Sequence, residues 1–385
     1  MLMQVRSPAR SAMVAIFLGA PGFGQELANP ATGPAEPRPA AAAAEIFPPD
    51  AFRRGFSVSP PMIAREIPLA QFGRLAPMQA TPDAPFWTLI HWHGVESLSD
   101  VCRTVFSERE AVWRNPYQGL RIVLGDAGRP VVTLSIDTLA VYNHDPISYE
   151  RMQVIRPHFL LSHDFYPDRD GVRRYSGAEE RETTPDGSTF PDLETFADLR
   201  LGLTLRLAQA QDLRQEYRGD DPAKRRLHYN RNCFQFWFRV YCRNAAAPAH
   251  GRFFWLGYRA YDSEVPYGSP IPHERDQIES DGRATYAYRL SDLSVHGPDY
   301  DRKLTAFRAG AATAIHIDLR QAAQTAIRAI REEKKDFLDA TDDLAGFTLA
   351  GFNIGWEPAS PFRGAMEITD LSLRGTARPR AAVGP

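Results

Sequence analysis

Beyond residue 85, apolar side chains recur at every second position in run after run, the spacing of strands that bury one face. In Asn232–Arg243 one side carries Phe234, Phe236, Phe238, Val240 and Cys242. The other side carries Gln235, Trp237, Arg239, Tyr241 and Arg243. Arg252–Asp262 repeats the split, with Phe254, Leu256, Tyr258 and Ala260 against Phe253, Trp255, Gly257, Arg259 and Tyr261. Similar runs lie at Phe86–His93, Leu120–Leu124, Val131–Val141, Gln153–Leu161 and Leu201–Ala208. Four more follow at Thr285–Leu290, Thr313–Leu319, Phe347–Glu357 and Ala365–Leu373. Turn residues separate most of them, as at Gly125–Gly128, Pro185–Gly187 and Asp281–Gly282. Many punctuated strands and few helices predict an all-β fold, a jelly-roll-like antiparallel β-sandwich with a few short peripheral helices. No fixed repeat period appears, which excludes a propeller or solenoid.

Helical spacing is clearest over Asp318–Phe337. Leu319, Ala322, Ala323, Ala326, Ile327, Ile330 and Phe337 form one stripe, with Arg320, Gln324, Arg328, Arg331, Glu332 and Lys335 elsewhere. Ser107–Trp113 and Asp192–Leu199 are shorter helix candidates. The charged stretch Gln211–Arg231 reads as a solvated excursion.

The ends of the chain divide it further. Arg6 and Arg10 precede the apolar Ala12–Ala20, the charged-then-apolar order of an export signal over residues 1–25. A Pro/Ala-rich linker is expected over 26–50 and an extended strap over 51–83, bearing Phe52, Phe56 and Phe72. One sandwich domain is expected over 84–375, followed by a disordered tail over 376–385. This predicts a secreted or periplasmic protein with no transmembrane anchor in the mature chain.

The 385 residues include 45 Lys and Arg against 47 Asp and Glu, a net charge of −2. No global field favours nucleic acid, so any electrostatic preference is local. The three cysteines are Cys102, Cys233 and Cys242. Cys233 and Cys242 sit too far apart along one strand to pair, at about 3.3 Å per residue.

The mixed faces of the two aromatic runs carry the functional expectation. Trp237, Tyr241, Trp255 and Tyr261 offer flat surfaces to the C–H patches of sugar rings. Gln235, Arg239 and Arg259 offer hydrogen bonds to hydroxyls, and the arginines favour an acidic sugar. If the two runs pair, Tyr241 falls opposite Trp255 and Trp237 opposite Arg259, or the register shifts by two. In Gly351–Glu357 the glycines leave room on the face where Asn353 and Glu357 project. This segment, with the closing Ala365–Leu373, resembles the C-terminal strands of jelly-roll carbohydrate-binding modules and lectin-like sandwiches. The resemblance implies a jelly roll and an oligosaccharide or polysaccharide partner.

Three functions fit these residues: an exported glycan-binding sandwich, a jelly-roll polysaccharide lyase or glycoside hydrolase, and an envelope assembly protein that uses the same face for a protein partner. Hydrolysis needs two carboxylates, with Asp262, Glu264, Glu357 and Glu367 as candidates. A lyase would draw on Gln235, Arg239, Tyr241, Tyr261 and His316. No cofactor is expected. His91 and His93 share one side of a strand, but no spacing supplies a third ligand, so no metal site is assigned. Asp168–Gly171 lacks the remaining positions of a calcium loop and reads as a turn. Neither a G-x-S-x-G element nor a phosphate loop is present.

Overall fold

The computed structural model describes residues 43–61, 66–77, 83–99, 103–125, 129–144, 157–164, 172–174, 192–217, 232–242, 250, 253–263, 273–278, 284–296, 310–333 and 344–379. The expected signal, most of the expected linker and the Asp168–Gly171 turn lie outside them.

In chain order the first strands are β1 (Ala44–Glu45), β2 (Phe56–Val58), β3 (Glu66–Pro68), β4 (Gly73–Leu75) and β5 (Trp87–Trp92). Next come β6 (Arg103–Phe106), β7 (Glu110–Arg114), β8 (Gln118–Leu124), β9 (Pro130–Asp137) and β10 (His158–Asp164). β11 (Val172–Arg174), β12 (Phe196–Asp212), β13 (Asn232–Cys242), β14 (Phe253–Asp262) and β15 (His273–Ile278) follow. The last are β16 (Ala284–Arg289), β17 (Ala312–Asp318), β18 (Phe347–Pro358) and β19 (Phe362–Ala377). Helices α1 (Thr138–His144), α2 (Asp292–His296) and α3 (Leu319–Glu333) complete the described elements with three single 3₁₀ turns.

Two sheets make a jelly-roll-like sandwich. The eight-stranded sheet runs β17-β12-β19-β9-β8-β7-β6, with β1 added beside β19. The nine-stranded sheet runs β15-β16-β14-β13-β18-β10-β5-β2-β4. Their pairings are antiparallel except β14–β16 and β2–β5. The chain changes sheet repeatedly late in its course, β17 and β19 joining one and β18 the other, so the layers cannot separate without breaking local connections.

The period-2 pattern sets which face is buried. Phe234, Phe236, Phe238 and Val240 of β13 are fully buried in one continuous core. That core also takes Leu201, Leu203 and Leu205 of β12, from the opposite sheet. Trp356 crosses between the layers: its Nε1–H donates to the Leu134 carbonyl at 2.9 Å. On α3, Leu319, Ala322, Ala323, Ala326, Ile327 and Ile330 are buried, the apolar stripe expected of an amphipathic helix.

Two helix expectations fail. Ser107–Trp113 is the turn and strand of a β6–β7 hairpin, with Ala111 and Trp113 alternating into the core. Asp192–Leu199 is one 3₁₀ turn, Leu193–Thr195, after which β12 begins and pairs along β19. In both, cross-strand pairing overrides a local pattern too short to nucleate a helix. The segment read as linker and strap contributes β1, β2 and β4, and Phe47, Phe52 and Phe56 enter the core. At the other end β19 reaches Ala377, paired with Phe196, inside the stretch read as tail.

Candidate functional site

The outer face of the nine-stranded sheet brings most of the expected residues together. β13 and β14 pair in the shifted register, with Gln235 opposite Arg259, Trp237 opposite Gly257, Arg239 opposite Trp255 and Tyr241 opposite Phe253. On its other side β13 pairs with β18, which sets Asn353 beside Trp237 and Glu357 beside Cys233. Beyond Asn353 stands Ser162 of β10. Three adjacent strands thus place Gln235, Trp237, Arg239, Tyr241, Trp255, Arg259, Asn353 and Glu357 on one surface.

Tyr261 leaves this group. A bulge shifts the register between Phe234 and Gln235, so Tyr261 pairs with core-facing Phe234. Its ring packs on Trp356 and Phe362, centroids 5.9 and 6.2 Å away. Burial first, then the charges of Asp262 and Asp212, pushes its pKa up to about 12. A phenol so hard to ionise is a poor general base at neutral pH. The lyase set is broken further by His316, which lies exposed on β17 in the other sheet.

The face is more enclosed than a flat binding platform. Gln235, Arg239 and Tyr241 are buried, whereas Trp237, Trp255, Arg259, Asn353 and Glu357 are half-buried. Tyr241, Phe253 and Ala350 form a small apolar cluster with Trp255 against it. Arg239 lies over the Phe253 ring, 6.0 Å from its centroid.

A polar network occupies the other end. Arg259 Nε–H donates to Gln235 Oε1 at 3.1 Å, and Nη1–H donates to Asp262 Oδ2 at 2.8 Å. Burial opposes the Arg259 charge, yet Cys233, Asp262 and Glu357 together hold its pKa above the ordinary value. Asp262 and Glu357 flank Cys233 in one row across three strands. Two strand spacings set their backbones roughly 10 Å apart. Glu367 is remote from the row: it lies on β19 and pairs with Arg206.

Two glycines shape the surface. At Gly257 a Cβ would fall 2.4 Å from Trp237 Cε3 and 2.3 Å from the Phe236 carbonyl oxygen. The indole therefore lies across β14, with one face on the strand. At Gly355 a Cβ would fall 2.2 Å from the Phe159 carbonyl oxygen and 2.8 Å from Leu160 Cα. The room left by Gly355 is filled by β10, not kept for a ligand. Replacing Gly355 by Ala should cost roughly 2–3 kcal/mol, because the obstructing atoms are backbone. A lowered urea midpoint at unchanged slope measures this, and an unchanged midpoint refutes it.

Asn353 carries a signal invisible in sequence. Its Oδ1 is buried and accepts no hydrogen bond from the protein. Among the described residues no group of three or more His, Cys, Asp or Glu side chains is placed to hold a metal. His91 is fully buried, its ring 5.2 Å from that of core-side Phe159. Cys233 and Cys242 are buried, and the Cys233 thiol donates to the Glu357 carbonyl at 3.3 Å. No described helix is long and apolar enough to cross a membrane.

No family model matches the chain, and no curated protein does. Among solved structures, endoglucanase Cel12A from Rhodothermus marinus is 11% identical, with 75% of this chain and 99% of that chain covered and a TM-score of 0.33. A native family 12 xyloglucanase from Bacillus licheniformis is 7% identical, covers 75% of this chain and 100% of its own, and has a TM-score of 0.35. A metagenome-derived glycoside hydrolase family 12 endoglucanase is 12% identical over 77% of this chain and 100% of that one, with a TM-score of 0.32. Likeness at this level carries no argument about chemistry.

Proposed function

We propose that this protein is an exported glycan-binding sandwich whose site is the outer face of β13, β14 and β18. The observation that carries this reading is the pairing of Trp237 with Asn353 on adjacent strands. A half-buried indole supplies apolar stacking surface, and beside it a buried amide oxygen has no protein donor. Unpaired buried acceptors are uncommon in folded proteins, and a hydroxyl-bearing ligand would satisfy this one. Arg259 and Gln235 extend the polar end, where guanidinium chemistry suits a uronate.

Hydrolysis is the second reading, favoured by the Asp262–Cys233–Glu357 row. Asp262 is already bound to Arg259, which lowers its value as a proton donor; Glu357 is the group to test. A glycan array probed with the mature chain should give hits that Trp237→Ala weakens at least about tenfold, the loss of one stacking contact worth ~1.4 kcal/mol. No binding, or binding indifferent to Trp237→Ala, rejects the reading. New reducing ends lost in Glu357→Gln would establish the hydrolytic alternative.

A further inference from the structure

A cavity of about 850 Å³ opens on the other sheet. It arises at a gap in strand pairing. β9 pairs with β19 as far as Val132 opposite Ile368, and β1 resumes on that side at Arg374 and Gly375. Between them β19 bulges: Asp370 takes φ 55°, and the register with β12 shifts between Gly202 and Thr204. The lining draws on core-side Phe47 and Trp87 as well as outer-side Arg200, Thr204 and Ser372. A cavity of this size lies within the usual range for small-molecule sites, about 300–1,000 Å³.

Two features say what it takes. Trp87 is 1% exposed, and its Nε1–H meets no acceptor in the protein. An indole N–H can only donate, so a ligand oxygen is what it lacks. The second feature is charge. Each carboxylate of the lining is committed to an arginine: Glu45 to Arg374, Asp50 to Arg54 and Asp370 to Arg129. Arg200 is held by Asp198 at 2.8 Å. Arg53 also lines the cavity, and its guanidinium makes no ion pair or hydrogen bond among the described residues. The unfilled groups are donors, and one carries a full charge.

We propose that this cavity is a ligand site, separate from the glycan face, for a small carboxylate-bearing molecule of monosaccharide to disaccharide size. The carboxylate meets Arg53 in the planar two-bond geometry that guanidinium favours. A further ligand oxygen accepts from Trp87, and Phe47 supports the ligand body.

The test follows the Trp87 indole N–H resonance of the full chain, assigned with Trp87→Phe, during titration with galacturonate, benzoate and neutral galactose. A saturable shift with either carboxylate and none with galactose is expected, weakened roughly tenfold or more by Arg53→Ala and only partly recovered in Arg53→Lys, which keeps the charge but not the two-bond geometry. Arg53 is exposed, so its loss leaves the fold intact. Galacturonate alone would identify a sugar acid, and both carboxylates a general carboxylate site. No shift with either acid, an equal shift with galactose, or indifference to Arg53→Ala would overturn the proposal. Trp237→Ala should leave the titration unchanged, which separates this site from the glycan face.

Discussion

Lowering the pH from 7 to 4.5 should remove about 2.5 kcal/mol of stability through His91 alone, at 1.36 kcal/mol per pKa unit. The imidazole is fully buried, and neither ring nitrogen has a hydrogen-bond partner. Burial drives its pKa from 6.5 down to about 3. The sign follows from proton counts. Between about pH 6.5 and 3 the unfolded chain binds the proton and the folded chain does not, so acid favours unfolding. Above 6.5 both states are neutral and the effect vanishes. His296 adds in the same direction: burial lowers its pKa to about 4, beside the Tyr258 hydroxyl. Urea titrations of the wild type and His91→Leu at both pH values measure this. His91→Leu should remove about 2.5 kcal/mol of the acid loss, roughly half of what the two histidines give together, and keep its stability at pH 7, since replacing an unpartnered polar ring by an apolar side chain leaves no donor or acceptor stranded. An equal slope in both proteins would show that His91 is charged or solvated when folded.

His91 also illustrates what the sequence conveyed and what it did not. The period-2 runs located the strands well, because alternation is a local property and each strand carries its own copy. The same alternation set the face of Trp237, Asn353 and Glu357, and their meeting needed only that β13 and β18 be neighbours. Tyr261 escaped because one inserted residue near Ala260 reverses the face of everything after it, and no local residue type announces the bulge. Ser107–Trp113 escaped because seven residues fit either period, and the partner strand decided between them. His91 and His93 are two apart, which suggested a shared side; instead β5 ends at Trp92 and His93 takes φ 53°.

Burial of the candidate face is a further property that alternation cannot convey, since it depends on what packs above the sheet. The cavity beside β19 was wholly illegible. Arg53, Trp87 and Arg200 are widely spaced in the chain and meet only because β1 and β9 leave a stretch of β19 unpaired. A gap in pairing has no sequence signature, and neither does an indole N–H left without an acceptor.

Neighbouring residues of β18 should give opposite results, and the contrast tests the assignment of faces. Trp356→Ala should cost about 3–5 kcal/mol, the usual range for truncating a large buried aromatic. Trp356 is fully buried, with Phe234 and Phe362 at centroid distances of 5.2 and 5.3 Å. Gly364 is already as small as a residue can be beneath it: a Cβ there would lie 2.8 Å from the indole. The cavity left by Ala therefore has no side chain at that position able to fill it. The deletion also removes the hydrogen bond to Leu134 that ties one sheet to the other. Trp356→Phe keeps most of the ring and loses that bond, so about 1–2 kcal/mol is expected. Glu357, one residue on, points to the opposite face. Its change to Gln should alter stability by less than about 0.5 kcal/mol, because no core contact is lost. If the glycan face is placed correctly, Trp356→Phe binds as the wild type does and Glu357→Gln does not. Equal binding by both variants would remove Glu357 from the site, and a stability loss confined to Glu357→Gln would reverse the assignment of faces on β18.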